Sequence, residues 1–310
     1  MLLSRTAESL YWAARYLERA EDTARVAREH TNLLVDIPVS VSITWEPLLA
    51  ITGSHDEFDE RFTKVDESTI IRFLVADEDN PGSIVASVEG ARENLRTTRE
   101  VLPREVWQAV NDLHLYVQAN HDSGVARATR AGFLDRVIGE VQRVGGILGS
   151  TMSRDAAYEF LRLGRNIERA DMTTRVLDVR ASALLAGGPM HEYDDVQWMS
   201  VLRSVSGLQM YHRATRRPIE GDSVVTFLLT DQAFPRSVGH CMGEMLHGVE
   251  QLPRHELVQP ACEAALAMVR RAAVDATDGA GLHEAMDRLQ IAVAEVHDAV
   301  ASAYFLRATS

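Results

Sequence analysis

The chain has 310 residues, 46% hydrophobic and 25% charged, and its 45 acidic against 32 basic residues give a formal net charge of -13. That length supplies ample core for one large domain or two ordinary ones, while acidity without a local basic patch excludes nucleic acid and anionic membrane as partners. The two cysteines, Cys241 and Cys262, exclude a disulfide framework and a four-thiolate metal site, and Lys64, the single lysine, leaves no Gly-Lys-Ser/Thr phosphate loop and no Ser-x-x-Lys nucleophile.

Taken in order, Leu3, Leu10, Leu17 and Ala24 fall at seven-residue spacing, joined by Ala13, Ala14 and Ala20, which predicts an amphipathic helix with Ser4 placed to cap it. Glu18 and Arg25 lie together at the margin of its apolar stripe, and Arg15 and Arg19 point further round, toward solvent or a neighbouring helix. Arg5 and Glu8 interrupt the start too early for a signal peptide, and no later stretch of 18 apolar residues could span a bilayer, so the expected location is the cytoplasm. After a break at Ile37-Pro38, a helix is expected from about Trp45 to Gly53. Ile70 to Val75 is short and apolar, which periodicity leaves open between strand and helix. Asn80-Pro81 predicts the next helix start, with Asn80 as its cap, and Leu102-Pro103 the one after. Phe133 to Leu148 is helical, with Gly145, Gly146 and Gly149 marking its exit, and Ser153 is placed to cap the next helix.

The second half of the chain repeats the first. Arg15-Tyr-Leu-Glu18-Arg19-Ala-Glu-Asp-Thr-Ala-Arg25-Val26 returns as Arg165-Asn-Ile-Glu168-Arg169-Ala-Asp-Met-Thr-Thr-Arg175-Val176. Trp198, Leu202 and Gly207 echo Trp45, Leu49 and Gly53; Phe227 to Val238 echoes Phe73 to Ile84; Leu252-Pro253-Arg254 echoes Leu102-Pro103-Arg104. Landmarks recurring in one order predict a tandem duplication. The expected architecture is all-α, a compact multi-helix bundle with pseudo-twofold symmetry, residues 1–150 and 151–310 being two helical repeats packed as one globular unit.

The repeated charges are the leading candidate site: Arg15, Glu18, Arg19, Arg25, Arg165, Glu168, Arg169 and Arg175. One turn before each Glu stands a small residue, Ala14 or Gly164, so the two copies are expected to cross there, with Glu18, Arg25, Glu168 and Arg175 forming a buried four-charge cluster. Exposed intrahelical ion pairs and a ligand site are the competing interpretations. Asp77 and Asp231 each precede a helix-opening proline by four residues and are secondary candidates, as turn caps or as carboxylates for a ligand's amine. His240, Glu244 and His247 share a helix face at metal-ligand spacing, but only one Glu-x-x-His pair is present, so no metal and no cofactor is expected. The other histidines form no triad with a Ser or Cys.

The opening Leu3-Ser4-Arg5-Thr6-Ala7-Glu8-Ser9-Leu10-Tyr11-Trp12, the Glu18-Arg19 pair, the Arg165 to Arg169 motif and Phe227 to Val238 together resemble the bacterial alpha-E family, over essentially the whole chain. The resemblance implies an all-helical protein with a Glu-Arg hallmark. Members of that family tend to be encoded beside ATP-grasp-type peptide ligases, transglutaminase-like proteins and proteasome-like hydrolases. That association implies a role in making, modifying or processing a peptide. Together with the missing nucleophile, phosphate-loop and metal-cluster signatures, it leads to the expectation of a non-catalytic helical partner of a peptide-ligase or peptide-modification system. The alternatives are an enzyme of the same pathway, whose Glu and Arg residues bind or activate a carboxylate or amine, and a helical-bundle metal-binding protein.

Overall fold

The computed structural model describes residues 2–36, 44–186, 193–275 and 279–305, so the expected break at Ile37-Pro38 lies outside the described residues. Among them the regular structure is helical throughout, without a strand: α1 (Ser4–Asp36), α2 (Pro47–Thr52), α3 (His55–Asp59), α4 (Glu67–Val75), α5 (Ile84–Arg96), α6 (Arg104–Val125), α7 (Arg130–Thr151), α8 (Ala156–Ala186), α9 (Asp194–Ser204), α10 (Leu208–Thr215), α11 (Gly221–Thr230), α12 (Val238–Glu250), α13 (Gln259–Asp275) and α14 (Gly279–Tyr304). None of these helices is long and apolar enough to cross a membrane.

Local chemistry sets the element boundaries and corrects several expectations. Ile70, Ile71, Phe73, Leu74 and Val75 are all buried, which is why periodicity left the segment undecided. Asp66 decides it: its carboxylate accepts from the Thr69 amide at 3.0 Å while the Asp66 amide donates to the Thr69 hydroxyl at 3.1 Å, a capping box that starts α4 as a helix. The cap of α5 is Ser83, accepting from the Ala86 amide, and not Asn80, whose amide group donates instead to the Phe73 carbonyl. Ser237 caps α12 in the same way. Asp155, not Ser153, accepts the first free amides of α8, from Ala157 and Tyr158. Gly145, Gly146 and Gly149 do not end α7, which runs through them to Thr151.

At about 1.5 Å per residue, the 33 residues of α1 extend for roughly 50 Å. The helix is covered on most sides, by α8, α5, α7 and α9, and α8 is covered in turn by α1, α12, α14 and α2. Leu10, Ala13, Ala14, Leu17, Ala20 and Ala24 are buried along α1, as the seven-residue spacing requires. Charged Glu18, Glu21, Asp22 and Arg25 are buried with them, so α1 is a central helix and not an amphipathic one with a solvated back. It meets α8 closely. A Cβ added at Gly164 would lie 2.1 Å from the Tyr11 carbonyl oxygen and 3.2 Å from the Ala14 Cβ, so only glycine permits this approach.

Candidate functional site

Next to that contact the two Glu-Arg motifs bind each other. Arg19 Nε donates to Glu168 Oε1 at 2.6 Å and Arg169 Nε to Glu18 Oε1 at 2.8 Å, each arginine reaching the carboxylate on the other helix. Arg15 Nε adds a bond of 2.7 Å to Glu168, and its guanidinium lies over the Trp12 ring. Glu18 and Glu168 are 2% and 3% exposed, while Arg15, Arg19 and Arg169 are only partly buried. Burial opposes ionisation of both carboxylates, but the arginines outweigh it: Arg169 and Arg236 hold Glu18 down at about 2, and Arg19 and Arg15 hold Glu168 below its ordinary value.

The expected composition of the cluster needs correcting. Arg25 binds Glu21 one turn away on its own helix, and Arg175 binds Asp171 at 2.9 Å, so neither joins Glu18 or Glu168. An i,i+4 carboxylate lies nearer than the other helix, and the side chain takes it. Arg175 is further held against α2, whose last turn ends at Gly53 in the left-handed conformation, φ 64°; a Cβ at Gly53 would lie 2.5 Å from Arg175 Nη1.

The second partner of Glu18 is Arg236, which comes from the turn before α12. Its Nη2 lies 2.6 Å from Glu18 and 3.1 Å from Glu21, and its Nη1 binds Asp22. Three carboxylates therefore share one buried guanidinium, and Asp22 is the loser. Burial raises it, Arg236 only partly offsets this, and Glu18 and Glu21 raise it further, to about 7 from an ordinary 3.8. The native chain then keeps a proton on Asp22 that the unfolded chain releases near pH 4. Stability from this group falls as pH rises from about 4 to 7. Glu18 acts in the opposite sense and only below about pH 4.5. The Asp22→Asn variant, followed by thermal unfolding from pH 4.5 to 8, is expected to show a flatter decline than the parent. Identical slopes would contradict the assignment.

Two clefts open beside the contact. One, about 240 Å³, is bounded by α1, α7 and α8 and takes in Glu18, Glu21, Tyr158, Arg162, Arg165 and Arg169 above Leu17, Val141, Val144 and Leu148. The other, about 250 Å³, takes in Arg15, Arg19, Glu168, Asp171 and Arg175 with Gly53 and Gly82. Arg165 stands at the place in the second motif that Arg15 holds in the first, yet it has no ion pair with Glu18, whose Oε1 is shared by Arg169 and Arg236.

The remaining candidates resolve into structural roles. Asp77 accepts two bonds of 2.6 Å from Arg61 and one from the Asp79 amide, and Asp231 accepts the Ala233 and Phe234 amides, so both cap turns. The His240 ring bonds the Gln232 carbonyl, Glu244 faces Arg162 at 3.5 Å, and His247 lies 4.0 Å from Glu250; the three do not converge. Metal-ligand spacing among the described residues occurs elsewhere, at Asp178, His283 and Asp287, where His283 and Asp178 already bond each other. Cys241 and Cys262 are buried and free, both thiols pushed up to about 12 chiefly by burial.

Sequence reasoning missed Arg236, Glu21 and Asp22. The available signal was the echo of Asn80-Pro81-Gly82-Ser83 in Phe234-Pro235-Arg236-Ser237, where a glycine in the first stretch corresponds to an arginine in the second.

No solved structure matches this chain. It is 25% identical, over 268 residues, to an uncharacterised protein of Mycobacterium bovis and to uncharacterised proteins of two Mycobacterium tuberculosis strains. That alignment covers 80% of this chain but spans only about 30% of the length of those curated relatives. Residues 2–305 match Alpha-E, described as a predicted alpha-helical domain with a conserved ER motif; the chain belongs to the Alpha-E family.

Proposed function

We propose that this chain is a non-catalytic helical partner of a peptide-ligase of the ATP-grasp type, or of a related peptide-modification system, and that it holds a peptide in a cleft beside the α1 and α8 contact. The observation that carries this reading is the state of the two glutamates. Each is buried, ionised and engaged by two arginines, so neither has a proton to give and each is held as a weak base, whereas Arg15, Arg19, Arg165 and Arg169 around them line open clefts. Such an arrangement suits binding better than proton transfer. The lengths of the mycobacterial relatives accord with a partnered role as well, since the matched region is about 30% of each of those proteins.

The two halves, 1–150 and 151–310, descend on this reading from a tandem duplication. Support comes from the recurring motifs and from α1 and α8 packing most extensively against each other. The test is ATP-dependent peptide-bond formation by an ATP-grasp-type ligase encoded beside the gene, assayed with and without this chain. Turnover is expected to rise at least about tenfold when the chain is added. Unchanged turnover, or peptide-bond formation by this chain alone, would overturn the reading.

A further inference from the structure

Resting on that reading, we propose that the cleft between α1, α7 and α8 binds the free C-terminal carboxylate of a peptide ending in an apolar residue, with Arg165 as the cation that receives it. The two motifs supply an internal comparison. Arg15 and Arg165 hold matching places, but Arg15 is bonded to Glu168 at 2.7 Å while Arg165 has no carboxylate at ion-pairing distance among the described residues. Its Nε is buried without a hydrogen-bond partner, and Tyr158 lies beside it in the cleft. Burial first, then the neighbouring Arg169, disfavours its charge. A half-buried guanidinium left in that state is costly to the fold and is relieved by an arriving anion.

The other charges of the cleft are already committed. Arg169 serves Glu18, Arg162 serves Glu159 at 2.7 Å and Glu244, and Glu21 is held by Arg25 and Arg236. Arg162 also has a buried Nε without a hydrogen-bond partner, but its charge is paired; among the described residues Arg165 is the arginine of this lining with no carboxylate paired to it. Its planar fork matches a carboxylate bidentately. A phosphate would favour free backbone amides at a helix start, and those of Ala157 and Tyr158 are taken by Asp155. Beside the cation lie Leu17, Val141, Val144 and Leu148, so the ligand presents an apolar group adjacent to its carboxylate, which describes a terminal leucine or valine better than an internal Asp or Glu. At about 240 Å³ the cleft is below the ~300–1,000 Å³ of drug-sized sites and suits one residue.

The test is calorimetric titration of the full chain with N-acetyl-Ala-Ala-Leu as the free acid, with its C-terminal amide, and with octanoate. The acid is expected to bind saturably and the amide at least about tenfold more weakly, with octanoate no tighter than the peptide acid. In Arg165→Met the difference between acid and amide is expected to vanish. Thermal unfolding supplies a readout independent of ligand: Arg165→Met is expected to keep or raise the melting temperature, whereas Arg15→Met lowers it. Equal binding of acid and amide, binding of neither, acid binding unaffected by Arg165→Met, or octanoate binding in place of the peptide would overturn the proposal. Arg165→Met destabilising as much as Arg15→Met would overturn it as well. A ligase unaffected by this chain, with the acid and amide still discriminated, would remove the partner and leave the site.

Discussion

Glu18→Gln is expected to lower the unfolding free energy by about 3–5 kcal/mol in chemical denaturation, the range for breaking a buried ion pair from one side. The substitution keeps size and shape, so no cavity forms. What it removes is the charge that Arg169 at 2.8 Å and Arg236 at 2.6 Å both face. Arg236 retains Glu21 and Asp22, but Arg169 is left beside Arg165 with no counterion in reach, and its partial exposure does not restore full hydration. A loss below about 1 kcal/mol, the range of exposed pairs, would mean that water already does the work assigned to Glu18.

Gly164→Ala is expected to destabilise by about 1–3 kcal/mol or more, although alanine is favoured over glycine within a helix by about 1 kcal/mol. The atom in the way is backbone. At 2.1 Å from the Tyr11 carbonyl oxygen the new methyl group cannot be accommodated by a rotamer change, so α1 and α8 must separate and carry the Glu18 and Glu168 bonds with them. Gly146 supplies the control, because a Cβ there meets nothing within 4 Å inside α7. Gly146→Ala is expected to stabilise by about 0.5–1 kcal/mol. If the two substitutions shifted stability in the same direction, the close approach at Gly164 would be disproved.

The contrast between these glycines shows where the sequence is legible. Gly164 is informative because it replaces Ala14 at a matching place beside a charged motif, whereas Gly145, Gly146 and Gly149 suggest a helix end that α7 does not have. The cost of each glycine, about 0.5–1 kcal/mol, is outweighed where the neighbouring turns are anchored, as they are here by the buried Val141, Val144 and Leu148. The apolar spacing of α1 and α8 and the all-helical class follow from periodicity. The ion-pair partners do not, because a helical wheel places Glu18 beside Arg25 on one helix and cannot say that Arg169 and Arg236 lie nearer across the contact. Arg236 comes from a turn far along the chain, and its distance from Glu18 is a property of packing alone.

Reciprocal ion pairs between the two Glu-Arg motifs, each with a buried glutamate, lock α1 to α8, and a double-mutant cycle on Arg19→Met and Glu168→Gln, followed by chemical denaturation, tests this lock most directly. The two losses are expected not to add, with a coupling of about 1–3 kcal/mol. Losses that add to within about 0.3–0.5 kcal/mol would mean that Arg19 and Glu168 act independently, and the lock between the two helices would be refuted.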